Sequence, residues 1–130
     1  MPTLYHLPLD PFSRKVRIVI REKKIDVDLM VEQFWERRAD FLALNPAGTV
    51  PVLQEDNGAV IAPSQTIAEY LDETVTELPL MQGSAADRAE VRRLCAWFDV
   101  KFHREVTDNL FGEKLMKRFL GLGEPNSEAI

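Results

Sequence analysis

Residues 3–31 place a β-prone run, a helix-forming run and a second β-prone run in immediate succession, and no other feature restricts the fold as much. Residues 3–7 (Thr-Leu-Tyr-His-Leu) are short, β-prone and bounded by Pro2 and Pro8, which predicts a strand. Residues 26–31 (Asp-Val-Asp-Leu-Met-Val) alternate and predict another. The stretch between them, 12–24, reads two ways. Val16, Ile18 and Ile20 alternate as in a strand, whereas Arg14, Arg17 and Arg21 lie at helical spacing with Val16, Val19 and Ile20 on another face. Asp10 before Pro11 decides for a helix. An acid at the N-cap accepts first-turn amide protons, and proline fits the first helical position, where its missing N–H costs nothing. A strand, a helix and a strand in this order imply a parallel pair joined by a right-handed crossover.

The rest of the order follows from local punctuation. Residues 37–44 predict a helix that stops before Asn45-Pro46, because the residue before proline avoids helical angles. Residues 50–55 and 59–61 are apolar runs around Asp56-Asn57-Gly58, a hairpin signal. Ser64 is placed to cap a helix carrying Ile67, Ala68, Tyr70 and Leu71. The order is βαβαββα over residues 1–75, followed by a linker over 76–83. From residue 84 the pattern changes. Ser84 with Asp87 reads as a capping box. Val91, Leu94, Cys95, Phe98, Phe102, Val106 and Leu110 then form one apolar stripe at spacings of three and four. Gly121, Gly123 and Pro125 end that helix, and Asn126 or Ser127 reads as a cap for a further one. Residues 84–130 are therefore expected to be the beginning of an all-helical domain, cut short.

Charge and cysteine content narrow the function classes. A net charge of −5 and a pI of about 5.1 argue against a nucleic-acid partner. Arg14, Arg17, Arg21 and the lysines at 15, 23 and 24 cluster, but a solvated helix face accounts for them. Cys95 is the single cysteine, so no internal disulfide or multi-cysteine metal site is expected, and a reducing compartment fits. The first ten residues lack a basic start and a long apolar stretch, and no run reaches membrane-spanning length. The expected location is the cytoplasm.

Three local motifs, in order, carry a resemblance that spans the whole chain. Residues 10–25 (DPFSRKVRIVIREKKI), 45–53 (NPAGTVPVL) and 63–73 (PSQTIAEYLDE) resemble the first active-site turn, the loop before strand three and the ligand-binding turn of the glutathione S-transferase superfamily. The resemblance implies a thioredoxin-like α/β domain followed by the start of an all-α domain. It also implies that Pro51 is a cis-proline, that the cysteine backbone of glutathione pairs with Val50, and that its γ-glutamyl carboxylate meets Ser64, Gln65 and the N-terminus of the following helix. A homodimer is implied as well. Within the superfamily the chain most resembles the alphaproteobacterial division-associated group that binds the polymerising tubulin homologue FtsZ.

The departures from the family pattern are as informative. Where the serine and cysteine classes place their thiol-handling group, this chain has Asp10. The stretch Asp10-Pro11-Phe12-Ser13 matches the redox C-x-x-C of thioredoxin without either cysteine, which excludes thiol–disulfide exchange there. A carboxylate also raises the pKa of a nearby thiol, the reverse of what thiolate formation needs. Ser13 and Tyr5, with His6 beside it, are the remaining candidate donors. Ser13 as a first-turn cap and Tyr5 as a core residue are the competing readings. Pro63 stands where the family commonly has an acid, so glutathione is expected to be at most a weak ligand, with no resident cofactor. The expectation leans away from an enzyme and toward a binding module, with a glutathione-dependent transferase of small electrophiles as the alternative.

Four further features remain open at this level. Phe34 and Trp35, among Glu32, Glu36, Arg37 and Arg38, suit a protein contact or packing on the helical domain. Trp97 and Val100 lie off the main stripe and suit a dimer interface, a substrate cleft or further helices. His103 has no partner at metal-ligand spacing. Residues 109–123 (NLFGEKLMKRFLGLG) are basic and apolar, which fits a protein or membrane surface, or an ordinary helix of the second domain.

Overall fold

A computed structural model describes residues 1–121, 123, 124 and 126–128, with the backbone alone at Phe119. The chain divides into two compact units, Met1–Gln82 and Gly83–Ile130. In the first, β1 (Thr3–His6), α1 (Pro11–Glu22), β2 (Asp28–Val31), α2 (Ala39–Leu44), β3 (Val52–Gln54), β4 (Val60–Ile61) and α3 (Ser64–Thr74) follow in the expected order. The sheet order is β2-β1-β3-β4. β1 and β2 are parallel, from Thr3 opposite Asp28 to His6 opposite Val31. β1–β3 and β3–β4 are antiparallel. This is the thioredoxin-like fold. The hairpin closes through Gly58 N–H to the Glu55 carbonyl at 2.9 Å and Ala59 N–H to the Asn57 side chain at 2.9 Å. Gly58 has a φ of 89°, which its missing Cβ permits at no cost.

The core of this unit is Leu4, Val16, Val19, Ile20, Leu53, Ile67 and Leu71, from one face of the sheet and the facing sides of α1 and α3. Burying a side chain of this size contributes about 1.5–3 kcal/mol relative to leaving it exposed. Phe41, fully buried, anchors α2.

Three sequence expectations are corrected here. Lys23 is not part of a solvated basic face: its side chain is 0% exposed and its Nζ lies 2.8 Å from the Asp72 carboxylate, itself 13% exposed. Nζ also donates to the Val75 carbonyl at 2.8 Å, while Asp72 accepts the Leu80 and Met81 amides at 2.7 and 3.0 Å. A buried ammonium needs such a partner set, and it ties residues 75–81 onto the ends of α1 and α3. Burial alone would raise the Asp72 carboxyl, but the bonds from Lys23 and the two amides together hold it below the usual carboxylate range. Second, Ser64 is the first residue of α3, whose N-cap position is Pro63. Third, the helix expected over 37–44 begins only at Ala39, because Arg37 has a left-handed φ of 50° closing a 3-10 turn, Phe34–Glu36, and Arg38 is the extended N-cap.

In the second unit Ser84 caps α4 (Ala85–Ala96) with the expected capping box: Ser84 Oγ accepts Asp87 N–H at 3.2 Å and Asp87 accepts Ser84 N–H at 2.9 Å. Helical backbone continues through Trp97–Thr107, α5 (Asp108–Phe111), Gly112–Met116 and α6 (Lys117–Phe119). Trp97–Thr107 and Gly112–Met116 have π-type bonding, as between Asp108 N–H and the His103 carbonyl. Wider turns bring residues five apart onto one side, so the stripe read at spacings of three and four does not hold along the whole helix. Trp97, set apart from that stripe in the sequence, meets Phe98 and Phe102 with ring centroids 4.9 and 5.8 Å away. Leu94, Phe98, Val106 and Leu110 are exposed. Pro125 and Ile130, which entered the reading of the chain's end, lie outside the described residues, as do Leu122 and the side chain of Phe119. Among the described residues no helix is long and apolar enough to cross a membrane.

Candidate functional site

The turn between β1 and α1 is closed by its own polar groups. Asp10 has extended backbone angles and its carboxylate accepts Ser13 N–H at 2.7 Å, so it is the N-cap of α1, with Pro11 in the first helical position. Ser13 is fully buried, and its Oγ accepts Leu7 N–H at 3.2 Å. The hydroxyl thus satisfies a buried amide where β1 leaves the sheet, a position a core methyl could not fill without orphaning that donor. Asp10 N–H is bonded to the Leu7 carbonyl at 3.1 Å, which completes the turn.

Tyr5 is half-buried on β1. Its hydroxyl donates to Gln54 Oε1 at 3.3 Å, and its ring lies 6.0 Å from that of Phe41. His6 is buried at the end of β1, and Arg17 Nη1 lies 2.9 Å from its Nδ1. Arg17 is a permanent donor, so Nδ1 is the acceptor and the neutral ring carries its proton on Nε2. Burial first, and then the Arg17 charge, lowers the His6 pKa. Arg17 also donates to the Pro8 carbonyl at 2.8 Å.

The other side of the candidate site is built differently. The Val50–Pro51 peptide is cis, both residues are buried, and β3 starts directly after them. Among the described residues the Val50 main chain makes no hydrogen bond within the chain. The Ala62–Pro63 peptide is also cis, which nothing in the sequence had signalled. α3 then begins with Ser64, nearly buried, and Gln65, half-buried, and no side chain caps its first-turn amides. Such amides, with the positive end of the helix dipole, attract a carboxylate. Gln65 Oε1 accepts a hydrogen bond from Lys15 Nζ, so a cation of α1 is held at this first turn.

Phe34 and Trp35 stack edge to face at 5.2 Å and are half-buried rather than exposed. Glu32, read as part of a charged ring around them, is 2% exposed and is gripped by Arg38 through two bonds of 2.7 and 3.1 Å. Both ends of this pair lie in a stretch of mixed charges, and only the fold reveals which one turns inward. Among the described residues no group of three or more metal-binding side chains comes together.

Residues 11–74 match the family model "Glutathione S-transferase, N-terminal domain". The chain is similar to FtsZ-localized protein A of Caulobacter vibrioides, 44% identical over 98% of this chain and 58% of that protein. It is 35% identical to a probable glutathione transferase of Aplysia californica, over 63% of this chain and 88% of that protein. A solved glutathione S-transferase from Rhodospirillum rubrum superposes with a TM-score of 0.94 at 50% identity, over 99% of this chain and 58% of that one. The chain thus spans less than two thirds of the Caulobacter and Rhodospirillum proteins.

Proposed function

The chain belongs to the glutathione S-transferase family, and from that premise we propose that it works as a protein-binding module rather than as a thiol-activating enzyme. The observation that carries this reading is the 2.7 Å bond from Ser13 N–H to the Asp10 carboxylate. The place where the family pattern puts a thiol-handling group holds an acid that caps a helix. A carboxylate there disfavours a neighbouring thiolate. Of the two other candidate donors, Ser13 is fully buried and its Oγ accepts the Leu7 amide, and the Tyr5 hydroxyl donates to Gln54.

Glutathione is a weak ligand in this reading, held by the Val50 backbone beside cis-Pro51 and by Ser64 and Gln65 at the start of α3. The protein partner is FtsZ. Support comes from the identity to a protein whose name records localisation to FtsZ. The setting is the cytoplasm, the unit a homodimer, and Phe34 and Trp35 contribute to the protein contact. The second reading, a glutathione-dependent transferase of small electrophiles, is favoured by the 50% identity to the Rhodospirillum rubrum glutathione S-transferase.

Two assays separate the readings. Steady-state turnover of glutathione with a reactive aryl halide should be negligible, and the chain should co-sediment with polymerised FtsZ. Robust turnover that vanishes in Asp10→Ala would establish the transferase instead. Absence from the FtsZ pellet would remove the proposed partner.

A further inference from the structure

The two edges of the sheet are protected unequally. β4 has two residues and runs into Pro63. Short edge strands and proline are common devices against unwanted strand pairing. β2 has four residues, no proline and no lysine, and its register with β1 is continuous, without a bulge. All four are exposed, with Leu29 at 55%, Met30 at 48% and Val31 at 55%.

The backbone shows what this edge can accept. Asp28 N–H donates to the Pro2 carbonyl at 2.8 Å and Glu32 N–H to the His6 carbonyl at 2.9 Å. Peptide groups alternate sides along a strand, so those of Leu29 and Val31 point away from β1. We propose that β2 is a docking edge for an extended segment of a partner protein, which adds antiparallel as a fifth strand. Backbone pairing to Leu29 and Val31 supplies affinity, and side chains on alternate faces supply selection. Leu29 and Val31 lie on one face and Met30 on the other, so the segment needs three consecutive β-prone apolar residues. In the antiparallel direction its next residue falls opposite the exposed Asp28. Opposite charges across strands favour pairing and like charges oppose it, so that residue is a lysine or arginine. A second copy of the chain is a poorer occupant, because self-pairing centred on Met30 gives Asp28 no cation opposite it: the copy's Glu32, buried and held by Arg38, takes that place. The proposal goes beyond the FtsZ reading and needs neither FtsZ nor bound glutathione.

The test titrates an end-capped peptide, Thr-Val-Ile-Val-Lys-Thr, into the full 130-residue chain, with backbone amide NMR and hydrogen exchange as readouts. Saturable binding is expected, with exchange of the Leu29 and Val31 amides slowed about tenfold. Replacing the peptide's lysine by glutamate should weaken binding by about fivefold. Leu29→Pro removes only an outward N–H, a position where an edge strand tolerates proline, and should abolish binding with the thermal transition retained. Val31→Lys gives an independent block if the proline variant fails to fold. Absence of saturable binding, binding without protection of those two amides, or full binding by a folded variant would overturn the proposal. Concentration-dependent dimers that protect the same amides without peptide would also overturn it, assigning the edge to a second copy.

Discussion

The first unit presents two helix N-termini, and they are finished in opposite ways. α1 brings its own anion: the Asp10 carboxylate occupies the Ser13 amide, and Ser13 in turn serves Leu7. α3 brings none: Pro63 stands at its cap position, and Ser64 and Gln65 open the helix with its first-turn amides uncapped. One start is spent on stability and the other is left available to an incoming carboxylate. A site with only its binding side available can hold a ligand without activating it.

Exchanging the two finishes tests the contrast. Ser64→Asp puts an anion in the first turn of α3, one position inside its cap. Glutathione binding, followed by NMR titration, should weaken about a hundredfold or more, because a like charge then faces the ligand carboxylate. Unchanged binding would mean that α3 is not the carboxylate site. Ser13→Ala leaves the Leu7 amide without its acceptor and should cost about 1–3 kcal/mol in denaturant unfolding. A cost near zero would show the hydroxyl to be expendable and reopen it as a donor. Asp10→Ala removes a cap and should cost about 1 kcal/mol, with no change in the negligible turnover.

The smallest effect is the pH response at the end of β1. His6 is lowered by burial and then by Arg17, so its folded-state pKa lies below its unfolded one. Such a group contributes stability that is fully present above about 6.5 and is lost as pH falls through the folded value. Unfolding midpoints should therefore decline below neutrality, and His6→Gln should flatten that decline. An identical profile in the variant would assign the acid sensitivity elsewhere.

Much of this was legible in local chemistry. Asp10-Pro11 announced the start of α1, Asp56-Asn57-Gly58 the hairpin, and Ser84 with Asp87 the capping box, because each signal acts within a few residues. What escaped the sequence depends on distant partners. Lys23 looked like one more solvated cation until α3 supplied Asp72. Glu32 looked exposed until Arg38 closed on it. Ser64 looked like a cap, but the helix starts one residue earlier in role, with Pro63 at the cap. The role of Ser13 became clear only when β1 placed the Leu7 amide against it. In the second unit the apolar spacing was read on the assumption of ordinary helical turns, and π-type turns shift which residues share a side.

The central claim is that the turn at Asp10 does not favour a thiolate. The direct measurement is an ultraviolet titration of the glutathione thiol in the presence of excess protein. The account predicts an apparent pKa at or above that of an ordinary thiol, about 8.5. A thiol that ionises below neutrality on the wild-type chain, and returns to its ordinary value on Ser13→Ala or Tyr5→Phe, would contradict it.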